Sequence, residues 1–227
     1  MTSFSEPPIH SAVHASFTVT YILLLTTATI TFIEALRTPI PFVRHVLNLE
    51  TAISLIAAYF YSLFVGMLQQ KHPKTSSDWK EFTTLRYVDW SMTTPFMLIA
   101  LCLVCGAATH VPIRFPVIAT ILVLNYAMLY IGYLGEQGNV ERITATLLGF
   151  VPFLIMFYMI YKIFLSTKYV LSNYVFFGIF AVVWSMYGFV YLLKNEEWKN
   201  IAMNMLDCVA KCLVGIGLFL FYAKVIV

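Results

Sequence analysis

Seven long apolar runs dominate this chain, and each is near or above the ~20 residues that a helix needs to cross a bilayer. The runs are 11–36, 46–68, 80–105, 115–135, 142–164, 174–193 and 199–225. Only 11% of the residues are charged, whereas a soluble domain carries about 25%. Since backbone polar groups in lipid must be satisfied internally, the runs should be helices. The sequence predicts an all-α membrane protein: one seven-transmembrane-helix bundle over residues 1–227, in a plasma or host-cell membrane.

The orientation follows from the basic residues beside the first run. Over the whole chain, Lys and Arg divide evenly between the two sets of loops, so the positive-inside rule does not decide. The first run has no Lys or Arg before it but is followed by Arg37 and Arg44. This favours an N-terminus outside and a cytoplasmic C-terminus. The net charge is +3 without a dense basic stretch, so no nucleic-acid partner is expected.

Four cysteines lie inside apolar runs, in the pairs Cys102–Cys105 and Cys208–Cys212. Each spacing puts the pair on one helical face. A zinc site would need further ligands, and no histidine stands beside either pair. We therefore interpret the cysteines as small buried hydrophobic residues and expect no metal site.

Ionisable residues at membrane depth are costly and mark function by default. Six such residues stand inside the runs: Glu34, Glu50, Arg86, Asp89, Asp207 and Lys211. Asp207 and Lys211 are four residues apart, and Arg86 and Asp89 three apart, so each pair shares a helical face. One interpretation is a buried salt-bridge network that determines how the helices pack.

The other interpretation is covalent chemistry at Lys211. A lysine in an apolar site loses its proton readily and attacks an aldehyde, which gives a Schiff base. Once protonated, that group needs a carboxylate counter-ion in the membrane, and Asp89 and Asp207 could supply two. Arg86 would balance the excess negative charge. An aldehyde with a long apolar body would suit an aromatic-lined slot, and retinal has this form.

Three stretches of the chain resemble helices of the microbial (type I) rhodopsins. The third, sixth and seventh helices of that family are similar to RYVDWSMTTPFML (86–98), VVWSMYGFVY (182–191) and LDCVAKCLVGIGL (206–218). The seven-helix count agrees, so the resemblance covers essentially the whole chain. It extends more loosely to the viral branch, of which some members look like channels.

The resemblance implies a role for each residue of the charged centre. Lys211 would carry all-trans retinal as a Schiff base, with Asp89 as primary counter-ion and first proton acceptor. Asp207 would be the second counter-ion, Arg86 the link to the outer half-channel, and Thr93 a hydrogen-bond partner of Asp89. The other cofactor-binding positions that it implies are Trp90, Thr94, Met97, Met128, Gly132, Trp184 and Tyr187.

Some positions depart from the patterns of ion-pumping members. Ala100, eleven residues after Asp89, stands where outward proton pumps usually carry a carboxylate that reprotonates the Schiff base. Lys199 stands where some pumps carry a proton-releasing glutamate. Asp89 itself argues against a chloride pump, and the third helix lacks the Asn-Asp-Gln pattern of sodium pumps.

Polar faces on three helices suggest an ion path. Glu50, Ser54 and Tyr61 share a face of the second helix, Glu34 ends a threonine-rich face of the first, and Asn204 continues the polar stripe of the seventh. If these faces meet, they line a hydrated path in which carboxylates favour cations. Alternatively, both glutamates are simply solvated near the interfaces.

The sequence therefore predicts a light-activated ion-transport protein rather than an enzyme. The first hypothesis is a light-gated cation channel, and the second an outward proton pump in which Glu50 replaces the missing proton donor. The third is a sensory photoreceptor that signals to a membrane partner. The expected partners are the lipid bilayer, cations or protons, and further copies of the chain in a homo-oligomer.

Overall fold

Seven helices make up the bundle in the computed structural model, which describes residues 8–70, 73 and 75–224. They are α1 (Pro8–Arg37), α2 (Pro41–Gln70), α3 (Ser76–Thr109), α4 (Phe115–Glu136), α5 (Arg142–Leu165), α6 (Leu171–Val190) and α7 (Glu196–Tyr222). Each is long and apolar enough to cross a membrane, which confirms the predicted seven-helix membrane bundle. The two ends of the predicted domain, 1–7 and 225–227, lie outside the described residues.

Two helices extend well beyond their apolar runs, because their first turns carry helix-starting signals rather than apolar residues. α2 begins at Pro41, five residues before the run at 46, and proline is well suited to the first helical turn. α3 follows a capping box, in which Thr75 and Asp78 satisfy each other's backbone N–H groups.

The short connections make successive helices antiparallel. α1, α3, α5 and α7 begin at one end of the bundle, which we call the N-terminal end, and α2, α4 and α6 finish there. One buried cluster, with Leu98, Met156 and Trp184, packs α3, α5 and α6 together. A second, with Phe17 and Phe64, joins α1 to α2.

α7 changes its helical pitch midway along its length. It is α-helical over Glu196–Asp207, π-helical over Cys208–Leu213, and α-helical again over Val214–Tyr222. Short π segments inside α-helices are frequent at functional sites. The wide turn begins directly after Asp207 and contains Lys211, so it sets the direction of that side chain.

Candidate functional site

The Lys211 amine lies between two buried carboxylates. Its Nζ donates a hydrogen bond to Asp89 Oδ2 at 2.8 Å and lies 3.5 Å from Asp207 Oδ2. The other Asp89 oxygen, Oδ1, has no hydrogen-bond partner among the described residues. Thr93 does reach Asp89, but its hydroxyl donates to the main-chain carbonyl at 2.9 Å rather than to the carboxylate. A threonine within a helix commonly makes this bond to the preceding turn.

Asp207 is held much more firmly than Asp89. Its Oδ1 accepts a hydrogen bond from the Tyr187 hydroxyl at 2.6 Å, and its Oδ2 accepts one from the Tyr61 hydroxyl at 2.7 Å. Arg86 Nη1 lies 3.5 Å from the same Oδ2. A buried carboxylate is stable as an anion when its oxygens are paired in this way. The less encumbered Asp89 is therefore the better placed of the two to accept a proton.

Arg86 completes the charged centre on its N-terminal side. Its Nη2 donates to Asn204 Oδ1 at 2.8 Å and to Asn200 Oδ1 at 3.1 Å, and its Nη1 donates to the Tyr61 hydroxyl at 3.2 Å. The two carboxylates, Asp89 and Asp207, balance the formal charges of Arg86 and Lys211. The centre is therefore neutral overall, as burial requires. Tyr61 and Asn204, which the sequence assigned to an ion path, thus also belong to this centre.

A largely apolar cavity begins at Lys211 and runs between α3, α4, α5 and α6. All of the cofactor-binding positions implied by the resemblance line it: Trp90, Thr94, Met97, Met128, Gly132, Trp184, Tyr187 and Lys211. The Trp90 and Tyr187 rings meet edge to face, with centroids 5.4 Å apart. A slot with aromatic walls and a primary amine at one end can hold a long apolar aldehyde.

The sequence did not identify the contribution of α5 to this cavity. Ala145, Gly149 and Phe153 line it at successive four-residue spacings. That spacing was visible in the sequence, but it is equally typical of any helix face that packs against a neighbour. Whether such a face lines a cavity or packs against another helix depends on the position of α5, which lines the same cavity as Lys211.

Close packing explains why position 132 on the cavity wall is a glycine. A Cβ on Gly132 would lie 2.7 Å from the Tyr87 hydroxyl, so a side chain there would push Tyr87, also a lining residue, out of place. Earlier on the same helix, the buried Asn125 donates to the Thr94 hydroxyl at 2.8 Å and ties α4 to α3 beside the cavity.

The polar faces of α1, α2 and α7 do meet. Asn204 Nδ2 donates to Ser16 Oγ at 3.0 Å, and Thr20 Oγ1 lies 3.2 Å from Cys208 Sγ. Nearer the opposite end, a Cβ on Gly215 would lie 3.2 Å from Glu50 Oε2. Gly215 is one turn beyond Lys211, so Glu50 and Arg86 lie on opposite sides of the amine along α7. We call this contact surface the α1–α2–α7 polar interface.

The two glutamates assigned to the ion path have different surroundings. Glu50 is buried, at 1% exposure, and forms no ion pair among the described residues. Ser54, one turn on, is also buried, and its hydroxyl has no partner within the same described set. Glu34 lies at the end of α1 with its side chain 18% exposed and 3.9 Å from Arg37. The alternative of a solvated glutamate therefore describes Glu34 and not Glu50.

A second charged cluster lies at the N-terminal end of the bundle. Lys199 Nζ is 3.2 Å from Glu136 and 2.6 Å from Glu196, and Arg142 lies 3.0 Å from each of the same glutamates. Beside it, burial and the Glu136 carboxylate raise the pKa of Tyr191 to about 12. The Tyr191 hydroxyl donates to the Gly132 carbonyl at 3.0 Å, which joins the cluster to the cavity wall.

Comparison with known proteins identifies the family. The family described as bacteriorhodopsin-like protein matches residues 11–227. This chain belongs to that family. The resemblance to microbial rhodopsins seen in the third, sixth and seventh helices is thereby confirmed.

Individual relatives refine this placement. The solved structure of viral rhodopsin OLPVRII is 42% identical, covers 95% of this chain and 99% of that chain, and superposes with a TM-score of 0.86. This likeness supports a place in the viral branch of microbial rhodopsins.

Blue-light absorbing proteorhodopsin of Gamma-proteobacterium Hot 75m4 is 28% identical over 149 residues, or 59% of each chain. Green-light absorbing proteorhodopsin of Gamma-proteobacterium EBAC31A08 is 33% identical over 76 residues, 34% of this chain and 30% of that protein. The matched stretch thus covers less than two thirds of either proteorhodopsin.

Family membership implies retinal bound through a Schiff base to a lysine, in an integral multi-pass membrane protein. The residues present fit that group. Lys211 is a buried amine on the wall of the aromatic cavity, and Asp89 offers it a carboxylate with one oxygen still unpaired within the described structure.

Proposed function

We propose that this microbial rhodopsin is a light-gated cation channel. Lys211 carries all-trans retinal, and the N-terminal end of the bundle faces outward. The observation that carries the proposal is the α1–α2–α7 polar interface, in which Glu50 and Asn204 are buried on opposite sides of Lys211. Ionisable side chains such as Glu50, buried inside a membrane bundle and away from the lipid, are typical of ion paths and proton relays.

The residues of the charged centre perform the first proton transfer. Bound retinal supplies the absorption of visible light and a change of shape in the cavity. The Lys211 nitrogen gives its proton to Asp89, whose Oδ2 is 2.8 Å away. Asp207 stays ionised, because Tyr61 and Tyr187 both donate to it. After the transfer, Arg86 and Asp207 are the two formal charges left in the centre.

The polar interface is closed in the dark. Thr20, Thr27 and Thr31 are buried, but each hydroxyl donates to the carbonyl one turn back in its own helix. Such hydroxyls become ligands for a passing ion when the helices separate and water enters. Glu50 then supplies a negative charge, which favours cations over anions.

An outward proton pump is the second candidate, and the position of Glu50 favours it too. Position 100 on α3 is a buried alanine and cannot donate a proton. Glu50 is a buried carboxylate one turn beyond Lys211 on the predicted cytoplasmic side, with no ion-pair partner in the described structure. It is placed to return a proton to that nitrogen.

Photocurrent measured against membrane voltage separates these candidates. We expect a current that reverses sign near the cation equilibrium potential, because a channel lets ions move down their gradient. Replacing Glu50→Gln should change the conductance or the reversal potential, whereas Glu34→Gln, at the exposed end of α1, should leave both unchanged. A current that stays outward at every voltage would exclude the channel and support the pump.

The retinal linkage has a simpler test. Lys211→Ala should abolish the visible absorption band, since no other lysine lines the cavity within the described residues. Lys162→Ala, in the final turns of α5, should keep the band. A coloured Lys211→Ala protein would show that the linkage lies elsewhere.

A further inference from the structure

Three aromatic rings surround the Arg86 guanidinium. Its Cζ atom lies 5.4 Å from the ring centroid of Phe64, 5.6 Å from that of Phe17 and 5.9 Å from that of Tyr61. All three rings are fully buried. A cation within about 6 Å of a ring centroid is attracted to the ring face, and the attraction grows when water is excluded.

The three rings also pack against one another. The Phe17 centroid lies 5.8 Å from that of Tyr61 and 5.3 Å from that of Phe64, and the Tyr61 and Phe64 centroids are 5.5 Å apart. On its polar side, the guanidinium is held by Asn200 and Asn204 of α7. Arg86 therefore fills the space between α1, α2 and α7 on the outward side of Lys211.

We propose that Phe17, Tyr61 and Phe64 form an aromatic cage that holds Arg86 as the closed outer gate of the ion path. Phe17 and Phe64 are positioning residues: they act on ion passage through Arg86. The gate rests on the proposed channel, but the closed state of the cage exists in the dark and can be tested without any ion current.

The charges of the centre explain why light would open such a gate. Arg86 Nη1 and Lys211 Nζ each lie 3.5 Å from the same Asp207 oxygen, so their positive charges repel across it. That repulsion pushes the guanidinium toward the cage. When the Lys211 nitrogen gives its proton to Asp89, the Lys211 charge that repels Arg86 and the Asp89 charge that attracts it disappear together. Asp207, no longer shared with Lys211, is then the counter-charge of Arg86 alone and draws it away from the rings, so water can pass where it stood.

The test measures access of a small polar reagent to the retinal linkage in darkness. Hydroxylamine releases retinal as its oxime, so the rate at which the visible band fades reports how easily solution reaches Lys211. Leucine keeps apolar volume but has no ring face for the cation. We expect bleaching about threefold faster in Phe17→Leu or Phe64→Leu and about tenfold faster in the double variant, equivalent to about 1.4 kcal/mol for tenfold.

Phe82→Leu is the matched control. Phe82 is buried in the same aromatic group and stacks on Phe64 at 5.7 Å, but it is not one of the three rings found over Arg86 in the described structure. It should bleach at the wild-type rate, and Phe64→Tyr, which keeps a ring, should do the same. The proposal would be wrong if Phe82→Leu bleached as fast as the cage variants. It would also be wrong if neither Phe17→Leu nor Phe64→Leu bleached faster than the wild type.

The proposals for the cage and for the channel are tested by different measurements, so either can be wrong without the other. A wild-type photocurrent that never reverses would remove the channel, while the bleaching rates would still decide whether the rings hold Arg86. With reversing currents, the cage further predicts a leak in darkness for the double leucine variant and none for Phe82→Leu. A reversing light current with no such leak would show that Arg86 is not the gate.

Discussion

Asp89 and Asp207 are both fully buried, but their partners give them different capacities. Asp207 accepts hydrogen bonds from two tyrosines and stands beside Arg86, so its negative charge is well compensated. Asp89 has Lys211 as its charged partner and keeps one oxygen without a hydrogen bond in the described structure. Environment rather than residue type therefore makes Asp89 the better placed of the two carboxylates to accept a proton and Asp207 the better compensated anion.

Neutralising Asp89 should change the colour. We expect Asp89→Asn to shift the visible band to longer wavelength, because a carboxylate beside the protonated nitrogen stabilises the ground state more than the excited state. Acidifying the wild type should shift the band the same way as Asp89 gains a proton. Absorption spectra check both, with Asp89→Glu as the charge-retaining control. A band that stays in place in Asp89→Asn would contradict the counter-ion role.

At the scale of the helix, α7 combines a wide turn with a close approach to its neighbours. The π-helical segment Cys208–Leu213 carries Lys211, and Gly215 follows it where α7 meets α1 and α2. A Cβ on Gly215 would lie 2.9 Å from Thr27 Cγ2 and 3.2 Å from Glu50 Oε2. The glycine therefore lets α7 pack close enough to bring Glu50 within a turn of Lys211.

Adding one methyl group to α7 tests this contact. Gly215→Ala should destabilise the protein by about 1–3 kcal/mol through overpacking, and it should displace the Glu50 side chain. Gly217→Ala is the control, since a Cβ there meets open space and alanine is the better helix former. The temperature at which the visible band is lost gives the comparison. Equal stability of the two variants would contradict the close approach.

For the molecule as a whole, a half-buried charge cluster joins three helices at the N-terminal end. Glu136 comes from α4, Arg142 from α5, and Glu196 and Lys199 from α7. Its formal charges cancel, so it can be partly buried at moderate cost. It also lies next to Tyr191 on the cavity wall, and this links the N-terminal end of the bundle to the apolar cavity.

Removing one cation should leave this cluster unbalanced. Lys199→Gln should lower stability by about 1–3 kcal/mol, because two half-buried glutamates would share one partly exposed arginine. The temperature of colour loss tests this. Lys194→Gln, at an exposed neighbouring position, should change little; an equal loss of stability in the two variants would argue against charge imbalance.

Several features of this protein were predictable from the sequence because they depend on composition or on spacing along one helix. Scarce charge and seven apolar runs indicated a membrane bundle. The stretches 86–98, 182–191 and 206–218 resemble helices of the microbial rhodopsins, and this resemblance indicated the family. Each of these signals is contained within a single stretch of chain, so no knowledge of packing was needed.

Contacts between helices depend instead on how each helix is rotated and how closely it packs. Tyr61 was assigned to an ion path, but the structure also pairs it with Asp207, 146 residues away. Glu34 and Glu50 appeared equivalent, yet the first lies at the end of a helix and the second is buried against Gly215. Glu136 and Arg142 are close in sequence, but only tertiary packing brings Lys199 and Glu196 of α7 beside them.

The sequence by itself determined the fold class through hydropathy, the family through motifs that resemble known helices, and the ionisable residues within the apolar runs. Each of these is a local property of the chain. Only the tertiary structure decided which charges neutralise one another, which carboxylate keeps a free oxygen, and which rings enclose Arg86. The physical reason is that an apolar helix in lipid gains little from any particular rotation about its axis. The rotation is set by close packing and by buried polar contacts with other helices.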